Sequence, residues 1–210
     1  GFILYLIIGQ DYHKNKMFKA KEIEGELKYA VRRQEETIYH RQLKMTSPAL
    51  NRFRDLVLYN LEAGQAVLTD NNDIRIYTDG KEKFHALIEE MKRAKKYIHV
   101  QYYIIRNDEV WQDIEKVLIE KAHEGVEVRV LFDSMGCRTM HKRDWDRLKC
   151  EGIRVAEFFP AILGQLQMRV NYRNHRKIVV IDGKVGFVGG FNVGREYIGK
   201  DEKFGYWRDT

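Results

Sequence analysis

The sequence predicts an α/β domain, with helices against a largely parallel or mixed β-sheet, preceded by a charged helical segment. Three observations carry that expectation. Beyond Gly64, short runs rich in β-branched and aromatic residues alternate with segments of helical hydrophobic spacing. From Asp11 to about Leu43 charge is dense, and the apolar residues recur only at helical intervals. The 210 residues are 44% hydrophobic and 32% charged, enough for one large domain or two small ones. That balance excludes a disordered tail, a collagen-like repeat and a wholly membrane-embedded chain.

The opening run Gly1 to Gly9 is apolar but far short of the ~20 residues that span a bilayer. It lacks the basic start and cleavage site of a signal peptide. It reads as the tail of a transmembrane helix or as a short buried element. Lys14, Lys16, Lys19 and Lys21 follow at once, and positive charge beyond an apolar end favours the membrane tail with a cytoplasmic exit. The expected organisation is therefore residues 1–10 as a transmembrane tail, 11–63 as a charged helical membrane-proximal segment, and 64–210 as the α/β domain.

Ile23, Leu27, Ala30 and Val31 mark the first charged helix. A second helical run opens at Pro48 with Ser47 as N-cap, and places Leu50, Phe53, Leu56, Val57 and Leu61 along one side. Ile74 to Tyr77 alternates as a strand and ends at Asp79-Gly80. Lys81 to Lys95 is helical, with Phe84, Leu87, Ile88 and Met91 on one face. Tyr97 to Ile105 reads as a buried strand. Trp111 to Glu124 is a helix stopped by Gly125, and Val126 to Phe132 a strand. Asp144 to Glu151 is a short helix closed by Gly152, and Ile153 to Phe158 another strand. Lys177 to Ile181 and Val185 to Val188 form a hairpin about Asp182-Gly183. With 2 Pro and 2 Cys, the chain has neither a Pro-rich linker nor a disulfide framework nor a four-thiolate zinc site. So few cysteines suit a reducing compartment.

Chemistry concentrates near the end. His175 and Lys177 are two apart, so on an extended chain they share a face. An imidazole beside a fixed ammonium suits an anionic group such as a phosphate: Lys brings charge and donors, His a nucleophile or acid/base near neutral pH. Gly189 and Gly190 allow close backbone approach to a ligand or a positive φ, and Asn192 adds a donor. Singly, each is more often structural; a hairpin turn and a glycine bulge need no ligand. The combined spacing, His-x-Lys-x4-Asp-x6-Gly-Gly-x-Asn, is a fixed pattern over eighteen positions.

That pattern resembles the HKD motif of the phospholipase D superfamily, and His175, Lys177, Asp182, Gly189, Gly190 and Asn192 fill every position of it. Within the superfamily the chain is most similar to bacterial cardiolipin synthases. The phrases Ile98-His99-Val100-Gln101-Tyr102-Tyr103-Ile104, Val128 to Gly136, Asn171 to Lys177 and Tyr206-Trp207-Arg208-Asp209-Thr210 carry that finer likeness. The resemblance implies a phospholipase D-like domain that makes cardiolipin and glycerol from two phosphatidylglycerol molecules through a phosphohistidine, with no metal and no cofactor. It implies His175 as nucleophile, and Lys177 and Asn192 as holders of the phosphate oxygens. It implies Asp209 as the carboxylate behind His175 that fixes its tautomer. Asp182 sits at the turn and is expected to bond local backbone N–H groups, a structural role.

The family's site takes two such motifs. His13, His40, His85, His99, His123 and His141 lie outside the pattern, so this chain carries one. The implied partner is a second HKD domain of the same longer chain, and this part alone is expected to be poorly active or inactive. The formal net charge of +6 suits an anionic leaflet and a location at the cytoplasmic side of a bacterial cell membrane. Phe158-Phe159-Pro160-Ala161-Ile162-Leu163 reads either as an apolar lip for acyl chains or as the end of a core strand. The alternative function is a phosphodiesterase or nuclease that pairs two identical single-motif chains, for which a basic chain also suits DNA. The apolar start and the synthase-like phrases favour the lipid reading without nucleic acid.

Overall fold

The structure is a computed structural model and describes residues 21–40, 52–69, 72–158 and 173–210. The expectations for residues 1–10, for the Ser47-Pro48 helix start and for Phe159 to Leu163 lie outside those residues. The chain divides into two compact units, one ending at Arg75 and one running from Ile76 to Thr210.

The first unit holds helices α1 (Lys21–Tyr39) and α2 (Arg54–Gly64). Val31, Ile38 and Leu61 are buried between them, with Val57, Leu58 and Val67 packed alongside. The Gln34 side chain donates to the Leu68 carbonyl at 2.9 Å and accepts its N–H at 2.7 Å, tying α1 to the chain beyond α2. The buried side of α2 is narrower than expected, because Phe53 and Leu56 are exposed while Leu58 turns inward. Among the described residues no helix is long and apolar enough to cross a membrane.

The second unit is a five-stranded mixed sheet with helices packed on it. Its strands are β1 (Tyr97–Tyr102), β2 (Glu127–Asp133), β3 (Arg154–Phe158), β4 (Ile178–Ile181) and β5 (Val185–Val188), in the order β3-β2-β1-β4-β5. β1, β2 and β3 are parallel neighbours; β4 runs antiparallel to both β1 and β5. Helix α3 (Gly80–Arg93) leads into β1, while α4 (Glu109–His123) joins β1 to β2 and α5 (Lys142–Cys150) joins β2 to β3, as parallel neighbours require long crossovers. Asp79 and Asp108 cap α3 and α4, each accepting two N–H groups of the first turn.

Side chains alternate along β1, so Ile98, Val100 and Tyr102 face the helices. They join Val128, Val130, Val179, Leu87, Met91, Trp111, Ile114, Leu118 and Leu148 in one core. Full burial of an aliphatic side chain there contributes roughly 1.5–3 kcal/mol.

The strand expected at Ile74 to Tyr77 is irregular chain, and Ile74 and Ile76 are exposed. The local alternation is genuine, but a strand also needs a neighbour to take its backbone bonds. Among the described residues this segment has none; only Asp79 beyond it makes an isolated bridge, to Arg208. β1 also stops before Ile105, which instead bridges Val193.

Candidate active site

Topology alone brings the site together. The parallel strands β1 and β2 end on one side of the sheet, at Tyr102 and Asp133. β4 is antiparallel to β1, with Ile178 opposite Gln101, so the chain entering β4 arrives at that same end. His175 and Lys177 therefore lie beside Tyr103 and Asp133. The crevice beyond the carboxyl ends of strands is the usual binding position in open α/β sheets.

Lys177 is buried, and its Nζ donates to His175 Nδ1 at 2.9 Å and to the His175 carbonyl at 2.7 Å. The side chains two apart do meet. With Nδ1 accepting from an ammonium, the ring proton resides on Nε2. The Tyr103 ring lies 4.0 Å from the imidazole, centroid to centroid, and the Lys177 Nζ sits 5.4 Å from the same ring. Burial against these neighbours, then the charge of Lys177, hold the His175 pKa below its ordinary value, while Asp133 acts in the opposite sense. Burial also lowers the pKa of Lys177, opposed by the charge of Asp209. The first effect favours a neutral imidazole, and the second makes the Lys177 ammonium a readier proton donor.

Asn192 is buried. Its Oδ1 accepts the Ile104 N–H at 3.1 Å, and its Nδ2 donates to the Tyr197 hydroxyl at 2.9 Å. One amide hydrogen remains for a ligand. Gly189 and Gly190 do not adopt positive φ. Their close approach is to the chain itself: a Cβ on Gly189 would fall 2.2 Å from the Thr210 carbonyl oxygen, and one on Gly190 2.1 Å from Asp209 Oδ1. The Gly190 N–H donates to the Thr210 carbonyl oxygen at 2.5 Å.

Asp209 thus packs on Gly190 and acts on Lys177. No hydrogen bond joins it to His175 among the described residues. The Arg208 bridge to Asp79 and the Thr210 carbonyl on Gly190 determine where this carboxylate falls.

Asp182 differs from expectation in its partners. Its carboxylate accepts the N–H groups of Lys95, Lys96 and Tyr97 at 2.8, 2.8 and 2.9 Å, across the sheet end rather than within its own turn. Those backbone bonds hold its pKa below the usual carboxylate range. Asp182 and Gly183 both take positive φ, as a two-residue hairpin turn demands. The Asp182 side chain therefore fastens the hairpin to the start of β1.

Sequence reading left two contributors without a role. Tyr103 forms the wall beside His175. Asp133, 1% exposed, accepts the Asn174 N–H at 3.0 Å immediately before His175. The available signal was positional: Asp133 stands just beyond the predicted strand Val126 to Phe132, and Tyr103 near the end of the predicted strand Tyr97 to Ile105. Among the described residues no cluster of His, Cys, Asp and Glu could hold a metal ion.

The chain is similar to several known proteins. The family profile described as "Cardiolipin synthase, PLD-like domain" matches residues 87–203. Cardiolipin synthase 2 of Staphylococcus epidermidis is 46% identical, with 100% of this chain aligned to 43% of that protein. The cardiolipin synthase of Oceanobacillus iheyensis is 45% identical over 100% of this chain and 44% of its own length. The chain therefore spans less than half the length of these relatives. Among solved structures, NucT from Helicobacter pylori superposes with a TM-score of 0.44 at 16% identity, covering 61% of this chain and 74% of that one.

Proposed function

This chain belongs to the cardiolipin synthase, PLD-like domain family, and from that premise we propose that it supplies the nucleophilic half of a phosphatidyl-transfer site. The substrate is phosphatidylglycerol, acting as both donor and acceptor. The observation that carries the reading is the neutral-favouring His175 held by the Lys177 ammonium at the open end of the sheet.

His175 Nε2 attacks the phosphorus of one phosphatidylglycerol. A P–N bond forms, the bond from phosphorus to the glycerol oxygen breaks, and glycerol leaves with a proton from a general acid. The terminal hydroxyl of a second phosphatidylglycerol then attacks the phosphohistidine and returns its proton to the same group. The P–N bond breaks and cardiolipin is released. Attack through Nε2 needs the ring proton on Nδ1, where Lys177 now donates. An arriving phosphate draws the ammonium onto its non-bridging oxygens and frees Nδ1, so substrate binding itself sets the tautomer. The free hydrogen of Asn192 Nδ2 adds to the oxygen cradle, where developing charge is stabilised. Asp209, already acting on Lys177, is the carboxylate that then takes the Nδ1 proton in a hydrogen bond.

Among the described residues Lys177, Asp133 and Tyr103 surround His175, and no second histidine acts on it. We assign the general acid to a second HKD motif in a following domain of the same longer chain, a reading supported by relatives more than twice the length of this chain. We assign the enzyme to the cytoplasmic face of a bacterial cell membrane; the net charge of +6 supports this, since each near-surface Lys or Arg contributes ~1 kcal/mol to binding an anionic leaflet.

The test presents phosphatidylglycerol vesicles to the full-length protein with a chelator present. Cardiolipin and glycerol appear in equal amounts, and His175→Ala loses at least about 10³-fold in rate. Undiminished turnover in His175→Ala, or a requirement for metal, overturns the reading.

A further inference from the structure

We propose that Asp133 is a positioning residue that fixes His175 relative to Tyr103 and so sets the aim of the imidazole. The inference rests on the reading of His175 as nucleophile.

The entry to β4 begins its strand pairing only at Ile178, so His175 lies outside the ladder. Backbone fixation must come from elsewhere. Asp133 supplies it through Oδ2, which accepts the Asn174 N–H at 3.0 Å. The other oxygen, Oδ1, accepts the N–H groups of Met135 and Gly136 at 2.9 and 3.4 Å, folding the chain after β2 into a tight turn.

That turn grips the second wall of the site. Gly136 packs so closely on Tyr103 that a Cβ there would lie 1.9 Å from the Tyr103 carbonyl oxygen. The Ile105 N–H donates to Cys137 Sγ at 3.2 Å, and the Cys137 thiol donates to the Tyr103 carbonyl at 3.5 Å. The Tyr103 ring in turn lies 4.0 Å from His175. One buried carboxylate thus ties both sides of the imidazole: the backbone that carries it and the ring that covers it.

The charge acts as well. Lys177, from the β4 side, disfavours the imidazolium, and Asp133, from β2, favours it. Around Asp133 stand the Arg173 guanidinium at 4.0 Å and the Glu157 carboxyl on β3, whose own pKa is raised by burial and then by the Asp133 charge. Asp209 acts on Lys177 rather than on His175. Tyr103 adds cover without charge.

The test is Asp133→Asn in the full-length protein, read in two ways. Phosphatidyl transfer is followed against pH, and the pH dependence of His175 carbethoxylation by diethylpyrocarbonate is mapped by peptide mass spectrometry. The first expectation is a fall in kcat/KM of about 10²-fold, the scale for misplacing a reacting group by ~1 Å. The second is that the acid limb and the carbethoxylation midpoint both move to lower pH, because the field favouring the imidazolium is gone. An unmoved limb and midpoint overturn the proposal, since a merely structural carboxylate changes stability alone. If the parent shows no phosphatidyl transfer, the functional reading fails, while the carbethoxylation midpoint still decides the role of Asp133. If the variant does not fold, amide exchange in the unaltered protein decides: slow exchange at Asn174, which lies outside any strand, supports the proposal, and exchange at the free-peptide rate overturns it.

Discussion

Gly136→Ala tests the tightest contact behind the site. The new Cβ would lie 1.9 Å from the Tyr103 carbonyl oxygen and 2.7 Å from its carbon. Comfortable heavy-atom separation is about 3.5 Å, so one backbone must retreat by roughly 1.5 Å. Neither partner is a flexible side-chain tip that can swing away. Overpacking of this kind costs about 1–3 kcal/mol, which for a protein of this size lowers Tm by roughly 2–10 °C. The same retreat carries Tyr103 away from His175, from a starting ring separation of 4.0 Å. A displacement of ~1 Å at reacting groups costs about 10²-fold, so kcat/KM should fall at least that far. Differential scanning calorimetry reads the first effect, and cardiolipin formation from phosphatidylglycerol vesicles the second. Gly186→Ala in β5 is the control, because a Cβ there meets nothing within 4 Å. A Gly136→Ala protein with parental Tm and parental kcat/KM would refute the contact and the reasoning built on it.

Three other outcomes are expected. Lys83 is buried, donates to the Tyr102 hydroxyl at 2.7 Å, and has its pKa lowered by burial to about 7. Above that pH the folded state holds it neutral while the unfolded chain stays protonated up to about pH 10.4, so its presence makes stability rise with pH across that window. Relative to Lys83→Met, the parent should therefore gain up to about 1 kcal/mol per pH unit between pH 7 and 10 in denaturant titrations, and a constant difference would count against the buried amine. Asp182→Asn keeps one acceptor but turns a donor toward the N–H groups at the start of β1. Because the Asp182 pKa is depressed, its stabilisation is present above the unfolded carboxylate pKa and lost as pH falls through the folded one; the variant should melt lower at neutral pH and lose less on acidification, and identical parental and variant melting curves at both pH values would exclude the hairpin clasp. Tyr103→Leu removes the aromatic cover of His175, relieving the burial that lowers its pKa, so the carbethoxylation midpoint should move up, opposite to Asp133→Asn.

The parts legible in the sequence are those set by local periodicity. β1, β2 and the β4–β5 hairpin follow from β-branched runs and from Asp182-Gly183, α3 from its apolar spacing, and α4 from its apolar spacing and the Gly125 stop. His175 and Lys177 meet because a period of two needs no knowledge of the rest of the chain. What escaped depends on partners distant in sequence. Ile74 to Tyr77 alternates correctly but lacks a neighbouring strand. Asp182 reaches N–H groups some eighty-five residues away, where its own turn was expected to engage it. Gly189 and Gly190 make room for Asp209 and Thr210 rather than showing a free cradle, a contact that spacing alone cannot reveal. Tyr103 and Asp133 join the site only because β1 and β2 end beside the antiparallel entry to β4.

Covalent attachment of phosphorus to His175 is the step on which the proposed transfer turns. Full-length protein mixed with phosphatidylglycerol, quenched within milliseconds in detergent at mildly alkaline pH and digested for tandem mass spectrometry, reads it directly. A phosphatidyl adduct is expected on the peptide containing His175, localised to that residue and absent from His175→Ala. An active protein whose quenched digests carry the adduct on another residue, or carry none at any quench time, would contradict it.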